Sequence, residues 1–89
     1  MRLKTILVED EEHGMKALAL KLAEYCPEVV ILAKCWTVEE AIKAINSLNP
    51  DLVFLDVRLN QKTGFDVLLP LYTVQFEVIF VSGYEEYAI

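Results

Sequence analysis

The sequence predicts one α/β domain in which a parallel β-sheet is covered by helices on both faces. Short runs rich in β-formers recur along the chain, at Thr5–Val8, Val29–Ala33, Leu52–Leu55 and Glu77–Val81. They are apolar almost throughout rather than alternating, which marks strands buried on both faces. The segments between them carry apolar residues at helical spacing. Together these give the order β-α-β-α-β-α-β, whose crossovers should be right-handed.

Thr5-Ile6-Leu7-Val8 is bounded by acids and reads as a buried strand. Glu11 to Glu24 reads as a helix. Met15, Leu18 and Leu22 fall on one face with Ala19 beside them, and the early acids suit the positive helix start. Pro27 ends it. Val29 to Ala33 reads as a second buried strand. Thr37-Val38-Glu39-Glu40 is a capping box, with Thr37 capping and Glu40 reaching back to the Thr37 amide. Val38, Ala41, Ile42, Ile45 and Leu48 continue that helix until Asn49-Pro50 stops it. Leu52 to Leu55 is a third strand running into Asp56, and Asn60 to Gly64 is a polar loop. Phe65 to Tyr72 suggests a short third helix with Pro70 near its end. Glu77 to Val81 is a fourth strand, followed by Ser82-Gly83, and Glu85 to Ile89 could begin another helix.

With 89 residues the chain has room for one domain. A chain this short buries only roughly 60–65% of the surface its unfolded form exposes, so modest stability is expected. The sequence shows no repeat, linker or low-complexity tract. Its apolar runs are far too short for a membrane span. Acids follow the first run at once, unlike a signal peptide, so a cytoplasmic protein is expected. The net charge is −6, from 14 acids and 8 basic residues. This segment therefore lacks the basic face that direct nucleic-acid contact needs, which leaves open DNA binding by a separate domain. Cys26 and Cys35 fit a reducing compartment and, with a single histidine, make a poor zinc set. Both read as small buried hydrophobes. His13 and the Arg58 side chain read as surface groups, and Trp36 and Tyr72 as core or edge packing.

In parallel α/β sheets, function collects beyond the carboxyl ends of the strands. The first strand runs into Glu9-Asp10, the third into Asp56 and the fourth into Ser82. If these strands are neighbours, three carboxylates and a hydroxyl share one rim. Clustered carboxylates raise one another's pKa, and a divalent cation relieves them. Mg²⁺ suits such hard oxygen ligands, and the Arg58 backbone carbonyl is placed to join them. A carboxylate beside Mg²⁺ can act as a nucleophile toward phosphorus, and Ser82 could donate to a phosphoryl oxygen. Acids after strands are also common as helix caps, and Asp10 is placed to cap the first helix. The joint placement at several strand ends favours the functional reading.

These pieces resemble the receiver domain of two-component response regulators. The resemblance rests on Ile6-Leu7-Val8-Glu9-Asp10-Glu11, on Pro50 to Leu59 around Asp56, on Gly64, and on Val78 to Gly83. It spans essentially the whole chain. The ending, Phe80 to Ile89, is similar to the subgroup with a LytTR-type DNA-binding output. The resemblance implies a flavodoxin-like, three-layer αβα fold with parallel sheet order 2-1-3-4. It implies Asp56 as phospho-acceptor, Glu9, Asp10 and the Arg58 carbonyl around Mg²⁺, and Ser82 as the switch hydroxyl. It implies a sensor histidine kinase as phosphoryl donor and regulated transcription as output, with no catalysis beyond the domain's own phosphorylation and dephosphorylation. Asn60 stands where proline is common, a change expected to affect only the loop. The family's fifth strand and last helix, its phosphoryl-pairing lysine and its aromatic switch residue would follow Ser82 and are not matched here. Neither Lys34 nor Lys62 occupies that lysine's position. The fourth strand is then expected to present an open edge, inviting a homodimer or swapped assembly.

Two other readings stand beside this one. A metal-dependent phosphohydrolase would commonly show an Asp-x-Asp pair, whereas Arg58 sits two places after Asp56. A receiver-like protein-interaction module without phosphate chemistry would have little use for the acid cluster.

Overall fold

A computed structural model describes residues 1–81, so Ser82 and the helix start expected at 85–89 lie outside the described residues. In chain order the elements are β1 (Leu3–Val8), α1 (Glu12–Tyr25), β2 (Val29–Cys35), α2 (Val38–Leu48), β3 (Leu52–Asp56), β4 (Arg58–Leu59), β5 (Lys62–Thr63), α3 (Phe65–Leu68) and β6 (Glu77–Val81). The main sheet is parallel with order β2-β1-β3-β6. This is the anticipated 2-1-3-4 order, with a small hairpin intervening in the numbering.

The sheet separates two apolar layers because successive side chains of a strand point to opposite faces. Ile6 and Val8 of β1 join Val53 and Leu55 of β3 beneath α2 and α3, with Ala41, Ile45 and Val67 closing that layer. Leu7 points the other way and meets Met15 and Leu22 of α1, with Phe54 and Trp36 packed alongside. Thr5, Ile6 and Leu7 are fully buried. The Thr5 hydroxyl donates to the Leu3 carbonyl at 2.9 Å, so it enters the core without an unpaired polar group.

Below the sheet, Asp51 ties three strands together. Its N–H donates to the Lys4 carbonyl at 2.7 Å, its Oδ2 accepts from the Lys4 N–H at 2.8 Å, and its carbonyl accepts from the Glu77 N–H at 3.0 Å.

Several expectations need adjustment. β2 is only half-buried because it lies at the sheet edge, and a register shift between Thr5 and Ile6 leaves Leu32 as an extra, exposed residue opposite β1. The third helix ends at Leu68 rather than Tyr72. Pro70 has no N–H for another helical bond, and a tighter turn from Leu71 N–H to the Leu68 carbonyl takes over. Tyr72 is fully exposed, not packed. Cys35 is buried as expected, while Cys26 is half-buried at the edge of the α1 layer.

The Thr37 cap holds, its Oγ1 accepting from Glu40 N–H at 3.1 Å. Glu40 reaches one residue further back than expected, to the Trp36 N–H at 2.8 Å. The polar loop after β3 contains the hairpin β4–β5, pairing Arg58 with Thr63 and Leu59 with Lys62. Its two-residue connection requires a positive φ of 60° at Asn60, a region asparagine tolerates. Among the described residues, the outer edge of β6 has no strand partner, and Ile79 and Phe80 there are exposed.

Candidate functional site

The carboxyl rim of the sheet brings Glu9, Asp10 and Asp56 together. One carboxylate oxygen from each lies within 4.8 Å of the others. β1 and β3 are direct neighbours, which places the residues after Val8 beside the end of β3.

Glu9 is 8% exposed. Its N–H donates to the Cys35 carbonyl at 3.0 Å, so the backbone is still tied to β2. Its side chain folds back over the start of α1, where Oε1 accepts from the Glu11 N–H at 3.0 Å. Gly14 makes that path open, since a Cβ there would lie 2.7 Å from Glu9 Cδ. Glu9 thus occupies the approach to α1, and Glu11, the N-cap residue, makes no side-chain cap bond. Asp10 does not cap the helix. Its Oδ2 accepts instead from the backbone N–H of Asn60 at 2.8 Å, and its Oδ1 is buried with no hydrogen-bond partner among the described residues.

Asp56 ends β3 and is 2% exposed. Its Oδ1 accepts from the Arg58 N–H at 3.2 Å. The next residue stays on the sheet, Val57 N–H donating to the Val81 carbonyl at 3.0 Å. Gly64 closes the other side, because a Cβ there would lie 2.6 Å from the Asp56 carbonyl oxygen. The Phe65 and Phe80 rings meet nearby with centroids 5.0 Å apart.

The electrostatics follow from this crowding. Burial is the main cause that pushes the Glu9 carboxyl up to about 8, and hydrogen bonding to Asp56 and its charge act in the same direction. The Glu11 N–H works against them. The donor set is three hard carboxylates, and the buried Asp10 Oδ1 costs free energy unless a cation, a water or the protonated Glu9 carboxyl meets it. These residues therefore fit a Mg²⁺ ion.

Of the residues singled out in the sequence, Glu9, Asp10 and Asp56 converge. Arg58 is exposed and begins β4, contributing its N–H to Asp56. Ser82 lies outside the described residues. His13 is exposed on α1, and Lys62 pairs with Glu39 of α2. Burial, then the Glu40 charge, push the Cys35 thiol up to about 11, which suits an inert core residue. The Gly14 and Asn60 contacts were not anticipated. The replacement of a common proline by Asn60 was visible, but its N–H bond across the rim was not.

A parallel sheet covered on both faces, with an acid cluster at its carboxyl rim, defines the class as a flavodoxin-like α/β domain with a rim site. The chain belongs to the response regulator receiver domain family, whose model matches residues 5–89. It is 35% identical over 88 residues to a response regulatory protein of Vibrio cholerae serotype O1, covering 98% of this chain and 37% of that protein. It is 32% identical over 89 residues to the sensory transduction protein LytT of Bacillus cereus, covering 98% of this chain and 36% of LytT. The chain thus spans about a third of the length of these curated relatives.

Among solved structures, a mutant MaeR response regulator bound to sulfate aligns with TM-score 0.82 and 24% identity, over 97% of this chain and 71% of the chain in that structure. The response regulator domain of Thermotoga maritima CheB aligns with TM-score 0.74 and 21% identity, over 98% of this chain and 65% of that one. These likenesses show the fold. Receiver domains act in two-component signalling, are phosphorylated by sensor histidine kinases and generally use Mg²⁺. No helix among the described residues is long and apolar enough to cross a membrane.

Proposed function

We propose that this domain accepts a phosphoryl group on Asp56 from a sensor histidine kinase. Glu9, Asp10, Asp56 and the Arg58 carbonyl would hold Mg²⁺. Two observations carry this: the three acids converge, with one carboxylate oxygen of each within 4.8 Å of the others, and the Asp10 Oδ1 is buried without a hydrogen-bond partner among the described residues. In the transfer, an Asp56 carboxylate oxygen bonds to phosphorus as the phosphohistidine N–P bond breaks. The electron pair returns to the imidazole nitrogen, which takes up a proton. Bound Mg²⁺ supplies neutralising charge for the phosphoryl oxygens.

The chain's own groups do the rest. Arg58 N–H fixes the Asp56 carboxylate, and Gly64 leaves space against the Asp56 backbone. Ser82, the next residue after β6, would offer its hydroxyl to the phosphoryl group. Phosphorylation adds about −1.5 to −2 charges at the rim. A longer polypeptide would read this out by regulating transcription through an output domain; in support, this chain covers only 36% of its relative LytT, a sensory transduction protein.

Treatment with acetyl phosphate, read by intact mass, tests the chemistry. A Mg²⁺-dependent phosphoryl adduct that is absent from Asp56→Asn is the expected result. A folded chain that forms no adduct and binds no Mg²⁺ overturns the proposal and favours an interaction module without phosphate chemistry.

A further inference from the structure

The Asn60 contact shows how one metal ligand is oriented. Asp10 has two carboxylate oxygens in unlike situations. Oδ2 is held by the Asn60 N–H at 2.8 Å, while Oδ1 is buried and unpartnered. A carboxylate held at one oxygen can no longer turn freely, so its second oxygen keeps one direction. That second oxygen belongs to the residue that converges with Glu9 and Asp56.

The donor's position has its own supports. Asn60 lies at the tip of the β4–β5 hairpin, and its φ of 60° sets the course of the chain there. The hairpin is fastened on the far side of that tip by contacts that do not involve Asp10. Lys62 pairs with Glu39 of α2, Thr63 N–H donates to Asp66 Oδ2 at 2.8 Å, and Gly64 N–H donates to the Val57 carbonyl at 3.0 Å. The N–H is therefore presented to Asp10 by the fold rather than drawn in by it.

We propose that Asn60 is a positioning residue for the metal site: its backbone N–H holds Asp10 Oδ2 and so aims the buried Oδ1 at the divalent cation. The inference rests on the reading that the acid cluster binds Mg²⁺. It makes the exchange of proline for asparagine a functional feature of this chain. Proline has no N–H to donate, and its φ is fixed near −65°, so it fails this role on both counts. Glycine keeps the N–H and accepts positive φ.

The test is Mg²⁺ titration of the whole chain by calorimetry, for wild type, Asn60→Gly and Asn60→Pro, with far-UV circular dichroism to confirm folding. Loss of an outer hydrogen bond to a metal ligand commonly weakens affinity about 10–100-fold. Asn60→Gly should bind within about twofold of wild type, and Asn60→Pro about tenfold more weakly. A folded Asn60→Pro that binds as wild type does overturns the inference while leaving the metal site standing. A wild type that binds no Mg²⁺ overturns both readings. Should the proline variant fail to fold, amide exchange in the wild type decides. A protected Asn60 N–H that loses protection in Asp10→Ala supports the inference, and an unprotected one overturns it.

Discussion

Replacing Glu9 with glutamine should make the metal-free domain more stable in alkaline solution, at the expense of metal binding. Glu9 is nearly buried among carboxylates whose oxygens lie within 4.8 Å. Two like charges at that distance repel by about 3.5 kcal/mol at an effective dielectric constant near 20. The carboxyl pKa, raised from 4.5 to about 8 in the folded chain, corresponds to a ceiling of about 5 kcal/mol. The two figures describe overlapping effects and are not additive.

Because the folded-state pKa is raised, the stability conferred by protonated Glu9 is complete below pH 4.5. It declines as the pH rises and is gone above about 8. In EDTA, Glu9→Gln and wild type should therefore have similar stability at pH 5. At pH 8.5 the variant should be ahead by about 2–4 kcal/mol, a large share of what a domain this size possesses. The substituted amide can still accept from the Glu11 N–H, so that bond is conserved. Adding Mg²⁺ at pH 8.5 should restore the wild type by about 2.7 kcal/mol at a hundred times its dissociation constant, and the variant by less. Urea denaturation followed by circular dichroism measures all three conditions for both proteins. Parallel pH profiles for the two proteins in EDTA would refute the reasoning, because Glu9 would then not be the group that titrates on folding.

Two further outcomes follow from close contacts. Gly64→Ala forces a methyl to within 2.6 Å of the Asp56 carbonyl and 2.9 Å of Leu55 Cγ, so the end of β3 must shift. It should lower the urea midpoint and slow acetyl-phosphate labelling of Asp56 at least tenfold. Thr37→Ala removes the bond to the Glu40 N–H and should cost about 1 kcal/mol in the same denaturation, with labelling unchanged.

The strands and the two long helices were legible because their apolar residues recur with the period of the element. Ile6, Val8 and Leu7 divide between the two layers as strand alternation requires. The rim acids were legible for a related reason, since a strand's end fixes where the next residue lies. What escaped the sequence depends on contacts between distant segments. Asn60 and Asp10 are separated by 50 positions, and no local pattern relates them. The folding of Glu9 over Gly14 depends on a side-chain path that spacing does not encode. The hairpin is invisible in the sequence because two-residue strands carry no periodicity, and the apolar spacing that runs on to Tyr72 overstates the third helix because Pro70 already ends it at Leu68.

The Asp51 junction below the sheet bears on how quickly the domain can form. Its partner Lys4 lies 47 positions away, and Glu77 reaches it only from near the end of the described chain. Helices α1 and α2 can begin locally within microseconds, whereas this junction must close long loops before β1, β3 and β6 are fastened together. On a ribosome, β1 and β3 can meet early, but the fastening of β6 waits until residue 77 has emerged. Until then the carboxyl rim lacks the Val81 carbonyl that holds Val57 beside Asp56, so among the described residues the site is the last part to be completed.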